Sequence, residues 1–398
     1  IHFDFSQEAG GGVIGNPGDQ AVREYAAQNG VADPIRLIAY QTVQPPLYFI
    51  ATTLATQFVR PDPPVMLYLS RLVSALFGAG IVYFAWAATR ELAPAAPLWA
   101  AGVACTIAVL PEFCFNNARV GNDSLVNCLG MAAFYVWFRG LRVPEFDPRM
   151  LRAGALVGLA VLSKLTALIL IPGLLLVVIF RAFQGRGPSE GWHSTTRRGL
   201  SLAVGALASL ALVCGWWFVR NMIAYGEPSG TGAANVFWHR NLMSLDWNNL
   251  IARADFIKAT WFSFWGFFGW QDLSMPNAFY EQALIVSLVC LSLSVIAGLS
   301  LLGRSLTWRS PIAPHIWQSA LIMALTAVLL LNSFVQFSLT VANQAQGRYL
   351  YLLLLPAALL FTGGLYALPP DRLLKGIALA LPILWLAQWN TVGLALVR

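Results

Sequence analysis

The 398-residue chain is 58% hydrophobic and only 11% charged, and its formal net charge is +7. A soluble domain carries about 25% charged residues, so the composition excludes a water-soluble fold and indicates a lipid environment. The basic residues are scattered between apolar stretches and do not cluster on one face, which argues against nucleic-acid binding and favours membrane-flanking anchors.

The chain opens with a polar stretch at Ile1, and we expect the natural N-terminus, including a first transmembrane helix, to lie upstream of it. Residues 1–65 are predicted to form an extracytoplasmic loop. Within this loop the apolar stretch 46–59 is too short to cross a bilayer comfortably and is typical of an interfacial helix.

Apolar segments that approach the ~20 residues of a membrane span then follow in two groups. About six spans are predicted within 66–219 and about four within 278–398, with a second extracytoplasmic loop at 220–277 between the groups. The predicted spans lie near 66–88, 96–112, 122–140, 152–166, 167–183, 199–219, 278–302, 315–341, 347–367 and 374–396. The predicted fold class is therefore all-α, a single polytopic transmembrane helical bundle.

Loop charges predict the orientation of the bundle. The loops near 89–95, 140–151, 181–198, 303–314 and 368–375 hold or border thirteen Arg and Lys residues but only five acids. Short, arginine-rich loops mark the cytoplasmic side, so the two long loops are expected on the extracytoplasmic face. The five cysteines and four histidines form no local metal-binding or disulfide pattern, although ligands brought together by the fold remain possible.

Polar residues interrupt the apolar pattern at four places. Residues 116–124 (NNARVGNDS) join two predicted spans, and Asp123 there is either a helix cap or a carboxylate that binds a metal or an acceptor hydroxyl. Lys164 is the only lysine within the apolar spans, which predicts either a functional cation or a side chain that reaches the interface. Arg220 and Arg348 are either simple anchors or phosphate ligands, and together with Lys164 they predict an anion site.

An aromatic run at 261–270 either sits in the membrane interface or lines a groove for a polyprenyl chain or a sugar. The order of these motifs resembles the GT-C superfamily of polytopic glycosyltransferases, which includes protein O-mannosyltransferases and the aminoarabinose transferase of lipid A. The nearest likeness is to a bacterial branch known mainly as predicted membrane proteins of unknown function. The motifs that carry the resemblance are QPPLYF (44–49), Arg71, Asn122-Asp123, Gly158 to Ala160 with Lys164, WWFVRN (216–221) with Tyr225-Gly226, SFWG (263–266) and QGRYL (346–350).

The resemblance implies transfer of a sugar from a polyprenyl-phosphate carrier to an envelope glycan, lipid or protein, at the extracytoplasmic face of the bacterial cytoplasmic membrane. It assigns Asp123 to acceptor or metal binding, with Mg²⁺ or Mn²⁺ as a possible cofactor. It assigns Lys164, Arg220 and Arg348 to the donor phosphate. The family's acidic motif would fall at Asp4 or upstream of Ile1.

Further residues are expected around the substrate cavity: His2, Gln44, Pro45, Pro46, Tyr48, Asn122, Trp265, Trp270, Gln346 and Tyr349. Two alternatives to an inverting glycosyltransferase remain. One is a transporter or flippase for lipid-linked sugars, and the other is a non-catalytic subunit of a larger membrane complex.

Overall fold

A computed structural model describes residues 44–59, 63–143, 145, 147, 150–184, 191–231, 254–269, 272–306, 312–340 and 345–397. The helices are α1 Leu47–Thr56, α2 Pro63–Leu92, α3 Pro97–Ala108, α4 Pro111–Asn117, α5 Asp123–Arg142, α6 Leu151–Ser163, α7 Leu170–Gln184, α8 Trp192–Tyr225, α9 Ala254–Trp265, α10 Asn277–Leu306, α11 Pro314–Thr340, α12 Leu354–Ala367 and α13 Arg372–Val397. Two 3₁₀ helices, Leu165–Ile169 and Gly347–Leu353, lead into α7 and α12. Strands β1 (Phe267–Phe268) and β2 (Leu273–Ser274) pair antiparallel, with Phe267 opposite Ser274. The predicted all-α polytopic bundle is confirmed.

Within the described ranges, eight helical segments are long and apolar enough to cross a membrane, and a bent pair of helices is a ninth candidate. The eight correspond to eight of the predicted spans. The bent pair corresponds to predicted span 96–112: α3 and α4 meet at 67°, and Pro111 begins α4 after an extended Leu110. A residue before proline disfavours helical geometry, which explains the break.

Predicted span 152–166 is a shorter helix than expected. The thirteen residues of α6 reach only about 20 Å at 1.5 Å per residue, less than the ~30 Å hydrocarbon core. The helix ends at Ser163 because Lys164 has extended backbone angles (φ −158°, ψ 134°). The chain therefore breaks at the lysine that interrupts the apolar run. In the place predicted for the interfacial helix, the structure has α1.

The core lies around α5, whose Phe134, Trp137 and Phe138 are fully buried. Small residues allow neighbouring helices to approach it closely. A Cβ on Gly154 of α6 would lie 2.0 Å from the carbonyl oxygen of Ala206 in α8, so only glycine permits this helix contact. The packing holds the N-terminal end of α5 next to the C-terminal end of α6.

Candidate anion-binding site

A group of four charged side chains meets at the N-terminal end of α5. Lys164 Nζ is ion-paired with Oδ1 of Asp123, while Arg119 Nη2 lies 3.4 Å and Arg348 Nε 4.0 Å from Oδ2. We call these four residues the Asp123 cluster. All four side chains are mostly buried, with exposed fractions between 16% and 27%. The structure thus brings together two of the three predicted phosphate ligands and the predicted carboxylate.

Each member of the cluster comes from an interruption in the helical fold. Arg119 lies in the connection between α4 and α5, and Asp123 is the first residue of α5. Lys164 occupies the break after α6, and Arg348 lies in the 3₁₀ helix before α12. At these breaks the chain leaves regular α-helical geometry, so the four side chains can converge on one another.

Hydrogen bonds hold the connection between α4 and α5 in place. The Tyr48 hydroxyl lies 2.7 Å from Ser74 Oγ and accepts a 2.9 Å bond from the backbone N–H of Gly121. Asn122 Nδ2 donates to the Ser163 carbonyl at 3.2 Å, and Ser163 Oγ donates back to the Asn122 carbonyl at 3.3 Å. This reciprocal pair fixes the position of Lys164 relative to Asp123.

The segment that carries Arg348 is fixed by a close backbone contact. The N–H of Gly347 donates to Ser263 Oγ at 2.8 Å. A Cβ on Gly347 would lie 2.4 Å from the backbone nitrogen of Phe264 and 2.5 Å from the Thr260 carbonyl oxygen. Glycine is therefore required for this 3₁₀ helix to pack on α9, and the packing sets the position of the neighbouring arginine.

Tyr349 lies between two of the cations. Its ring centroid is 4.9 Å from Lys164 Nζ and 5.4 Å from the Arg348 guanidinium carbon. An aromatic face attracts cations through its quadrupole. The ring therefore helps to keep the two cations near each other in spite of their mutual repulsion.

The cluster carries an excess of positive charge, with three cations around one carboxylate. Burial, and next the adjacent Arg348 guanidinium, lower the pKa of Arg119 below its ordinary value, while Asp123 opposes this shift. The buried Nε–H groups of Arg119 and Arg348 have no hydrogen-bond acceptor among the described residues. Buried donors without acceptors are costly. The arrangement therefore suits an added anion with several acceptor oxygens, such as a phosphate.

Asp123 does not act as a helix cap. The N-cap of α5 is Asn122, which makes no side-chain capping bond, and both oxygens of Asp123 face cations. The carboxylate at the first helical position still complements the helix dipole. The capping interpretation of Asp123 therefore does not hold, and its binding of a metal or an acceptor hydroxyl stays a prediction.

A divalent cation does not fit the described surroundings of Asp123. Mg²⁺ and Mn²⁺ need several oxygen ligands, whereas the neighbours of this carboxylate are a lysine and two arginines. The described residues also contain no group of three His, Cys, Asp or Glu side chains arranged to hold a metal.

Sequence reasoning missed a second buried carboxylate, Glu112. Its Oε1 accepts from Asn116 Nδ2 at 2.7 Å, and its Oε2 accepts from the N–H of Phe267 at 2.9 Å. Arg119 and Arg348 both lie within its electrostatic reach. The sequence did contain an indication of Glu112, since it is an acid at the last position of predicted span 96–112. Ionisable residues in apolar segments are functional candidates by default.

In the described chain Arg220 contacts no member of the Asp123 cluster. Its guanidinium is 4.9 Å from the Trp217 ring and 5.0 Å from the Tyr225 ring, and its Nη1 donates to Asn221 Oδ1 at 2.9 Å. Within the described chain it makes no ion pair with a carboxylate. Its position at the aromatic end of α8 is typical of an interfacial anchor.

The other predicted cavity residues occupy several places. Gln44 and Pro45 precede α1, Pro46 is its N-cap, and Gln346 is the N-cap of the 3₁₀ helix that carries Arg348. Trp265 lines an apolar cavity of about 240 Å³ together with Trp261, Phe264, Leu354 and Phe361. His2, Asp4 and Trp270 lie outside the described residues.

Together, the eight long apolar helices and the buried ion cluster define a polytopic, all-α integral membrane protein. The chain belongs to the DUF2142 family of predicted membrane proteins, whose family model matches residues 35–357. The expected likeness to a branch of predicted membrane proteins is thereby confirmed.

No curated protein matches the sequence. Among solved structures, the chain is similar to the crystal structure of ArnT from Cupriavidus metallidurans bound to undecaprenyl phosphate, with 16% identity and a TM-score of 0.47. The similarity covers 88% of this chain and 60% of the ArnT chain, so this chain spans about three fifths of the length of that protein.

Proposed function

We propose that this protein is a GT-C-type glycosyltransferase that moves a sugar from a polyprenyl-phosphate carrier to an envelope glycan, lipid or protein. The observation that carries the proposal is the convergence of Lys164, Arg119 and Arg348 on Asp123 in a mostly buried site. The proposed location is the bacterial cytoplasmic membrane, with the cluster at the extracytoplasmic face, opposite the arginine-rich loops.

The cations would bind the carrier phosphate. A phosphate presents several acceptor oxygens, and the two unsatisfied arginine Nε–H groups together with the lysine ammonium provide donors for them. Charge develops on this phosphate when the sugar leaves, so cations already fixed around it stabilise the transition state. In this proposal Arg220 does not bind the phosphate and anchors the end of α8 in the membrane interface.

An apolar cavity near the Asp123 cluster would hold part of the isoprenoid tail of the carrier. The cavity of about 240 Å³ is lined by Phe264, whose backbone packs against Gly347, and by Leu354, six residues after Arg348. Its surface is almost entirely carbon, which suits a hydrocarbon chain. Arg348 of the phosphate site and Leu354 of the cavity are thus about two turns of 3₁₀ helix apart along the chain.

Asp123 would act in two successive roles. Without a bound phosphate, its carboxylate holds the three cations together, and a carboxylate paired in this way is a weak base. The arriving phosphate would attract Lys164 and Arg348 and so free a carboxylate oxygen for the acceptor hydroxyl. The acceptor oxygen then bonds to the anomeric carbon, the bond from that carbon to the phosphate oxygen breaks, and its electron pair leaves with polyprenyl phosphate. The hydroxyl proton passes to Asp123, and the anomeric configuration inverts.

The experiment uses the purified protein in proteoliposomes. Undecaprenyl phosphate is the binding probe, and an undecaprenyl-phosphate sugar is the donor for a transfer assay. We expect saturable binding that weakens at least about tenfold in Lys164→Ala, since a charged hydrogen bond contributes about 1.5–3 kcal/mol. Thermal unfolding of the variant checks that its fold is intact.

The assay separates the three functional candidates. Transfer to an acceptor extract supports the glycosyltransferase. Movement of the lipid-linked sugar between leaflets without transfer would instead identify a transporter. Absence of both binding and transfer would contradict the proposal and favour a non-catalytic subunit.

A further inference from the structure

A second charged cluster lies at the opposite end of α5. Glu91 of α2, whose side chain is only 6% exposed, accepts from Arg139 Nη1 at 3.1 Å and pairs with Arg142 Nη2 at 2.6 Å. The two arginine side chains are 38% and 33% exposed. We call Glu91, Arg139 and Arg142 the Glu91 cluster. A buried carboxylate thus holds two guanidinium groups so that part of each remains accessible.

More donors surround this cluster than the carboxylate can accept. Arg90, next to Glu91 on α2, has a buried Nη1 with no acceptor among the described residues. His315, at the start of α11, lies within electrostatic reach of Glu91 and Arg142 and hydrogen-bonds the Leu92 backbone. Its buried Nε2 is then the acceptor nitrogen of a neutral imidazole and adds no donor to the cluster. Near this end of α5 the described chain includes five arginines (Arg90, Arg139, Arg142, Arg152 and Arg181) and three acids (Glu91, Glu145 and Asp147), so the end carries a net positive charge.

The length of α5 places this cluster at a membrane surface. Twenty residues span about 30 Å, the thickness of the hydrocarbon core. If Asp123 lies at one surface, Arg139 and Arg142 lie at the level of the lipid headgroups on the other. Trp86, four residues before Arg90 on the same helix face, is 39% exposed and offers an apolar surface next to Arg90.

We propose that the Glu91 cluster, with Arg90, binds the headgroup of an anionic phospholipid. The guanidinium groups would donate to the phosphate oxygens, and Trp86 would contact the first carbons of an acyl chain. Basic pockets between transmembrane helices on the cytoplasmic side bind such headgroups. The apolar surface adjoining the charges favours a phospholipid over a free phosphate ion. The site is about one membrane thickness from the Asp123 cluster and does not depend on the function proposed for it.

The test compares lipid binding by the purified full chain in neutral detergent, using native mass spectrometry. Phosphatidylglycerol is titrated against phosphatidylcholine as the zwitterionic control lipid. We expect Arg142→Gln to weaken phosphatidylglycerol binding about fivefold, because one basic residue near the surface contributes about that factor. Arg139 remains to pair with Glu91 in this variant. The matched control is Arg197→Gln, at an exposed arginine near the N-terminal end of α8 and outside the Glu91 cluster. We expect it to change binding by less than about twofold, because an exposed charge outside the cluster contributes little.

Three results would overturn the proposal: equal affinity for the two lipids, equal losses in Arg142→Gln and Arg197→Gln, or displacement of the lipid by millimolar glycerol 3-phosphate. The last result would assign the site to a soluble phosphate. If Arg142→Gln does not remain folded in thermal unfolding, Arg139→Gln provides the same comparison, with Arg142 left to pair with Glu91.

Discussion

The two ends of α5 carry the same types of residue in different surroundings. At the N-terminal end Asp123 faces three mostly buried cations, and at the C-terminal end Glu91 faces two arginines that are a third exposed. Electrostatic interactions strengthen as water is excluded. On the functions proposed above, the end with the more buried cations is the reaction site, and the end with the more exposed arginines is the contact surface for lipid.

The largest expected difference between the two ends is in sugar transfer. Asp123→Asn should lower the transfer rate at least about a hundredfold, because proton removal by a positioned base contributes about 10²–10⁴. Glu91→Gln should leave the rate within about twofold, since Glu91 is about 30 Å from the cluster. Initial rates in proteoliposomes measure both. Full activity of Asp123→Asn would remove this carboxylate from the mechanism.

A smaller effect is expected from the packing that positions Arg348. Gly347→Ala places a methyl group against the backbone of Phe264, and overpacking of this kind costs about 1–3 kcal/mol. We expect lower thermal stability and weaker binding of undecaprenyl phosphate. The matched control is Gly376→Ala in α13, where an added Cβ meets no atom within 4 Å. Equal behaviour of the two variants would show that the close approach to α9 is unimportant.

The smallest effect is expected from the hydrogen bonds that support the α4–α5 connection. Tyr48→Phe removes the bonds to Ser74 and Gly121 and should cost about 1–3 kcal/mol of unfolding free energy, because buried partners lose their acceptor or donor. Tyr83→Phe, at an exposed tyrosine of α2, should cost little. Denaturation monitored by tryptophan fluorescence compares the free energies of unfolding of the two variants. An equal or larger loss of stability in Tyr83→Phe would contradict a stabilising role for the Tyr48 hydrogen bonds.

Much of the fold follows from the sequence because a membrane imposes a simple length rule. Eight predicted spans are present, since long apolar runs have few alternatives to a helix in lipid. The rule failed where helices are short or bent: α6 has thirteen residues, and α3 meets α4 at 67°. Apolar composition alone does not determine whether such a segment crosses the bilayer.

The candidate site was partly predictable. Lys164 and Arg348 stood out because charges within apolar segments are costly, and the structure brings both to Asp123. Arg220 was predicted as either an anchor or a phosphate ligand, and its neighbours in the structure are Trp217 and Tyr225. Sequence position does not show which of several arginines converge, because convergence depends on helix packing. For the same reason the position of Arg119 beside Asp123 became visible only in three dimensions.

The most direct test of the anion site is the binding of undecaprenyl phosphate to Arg348→Ala and Arg220→Ala, two arginines that the sequence alone does not distinguish. Microscale thermophoresis in lipid nanodiscs gives both affinities. If the Asp123 cluster binds the carrier phosphate, Arg348→Ala weakens binding at least about tenfold, while Arg220→Ala stays within about threefold. Unchanged affinity in Arg348→Ala, or a larger loss in Arg220→Ala, would contradict the assignment of the phosphate site to the Asp123 cluster.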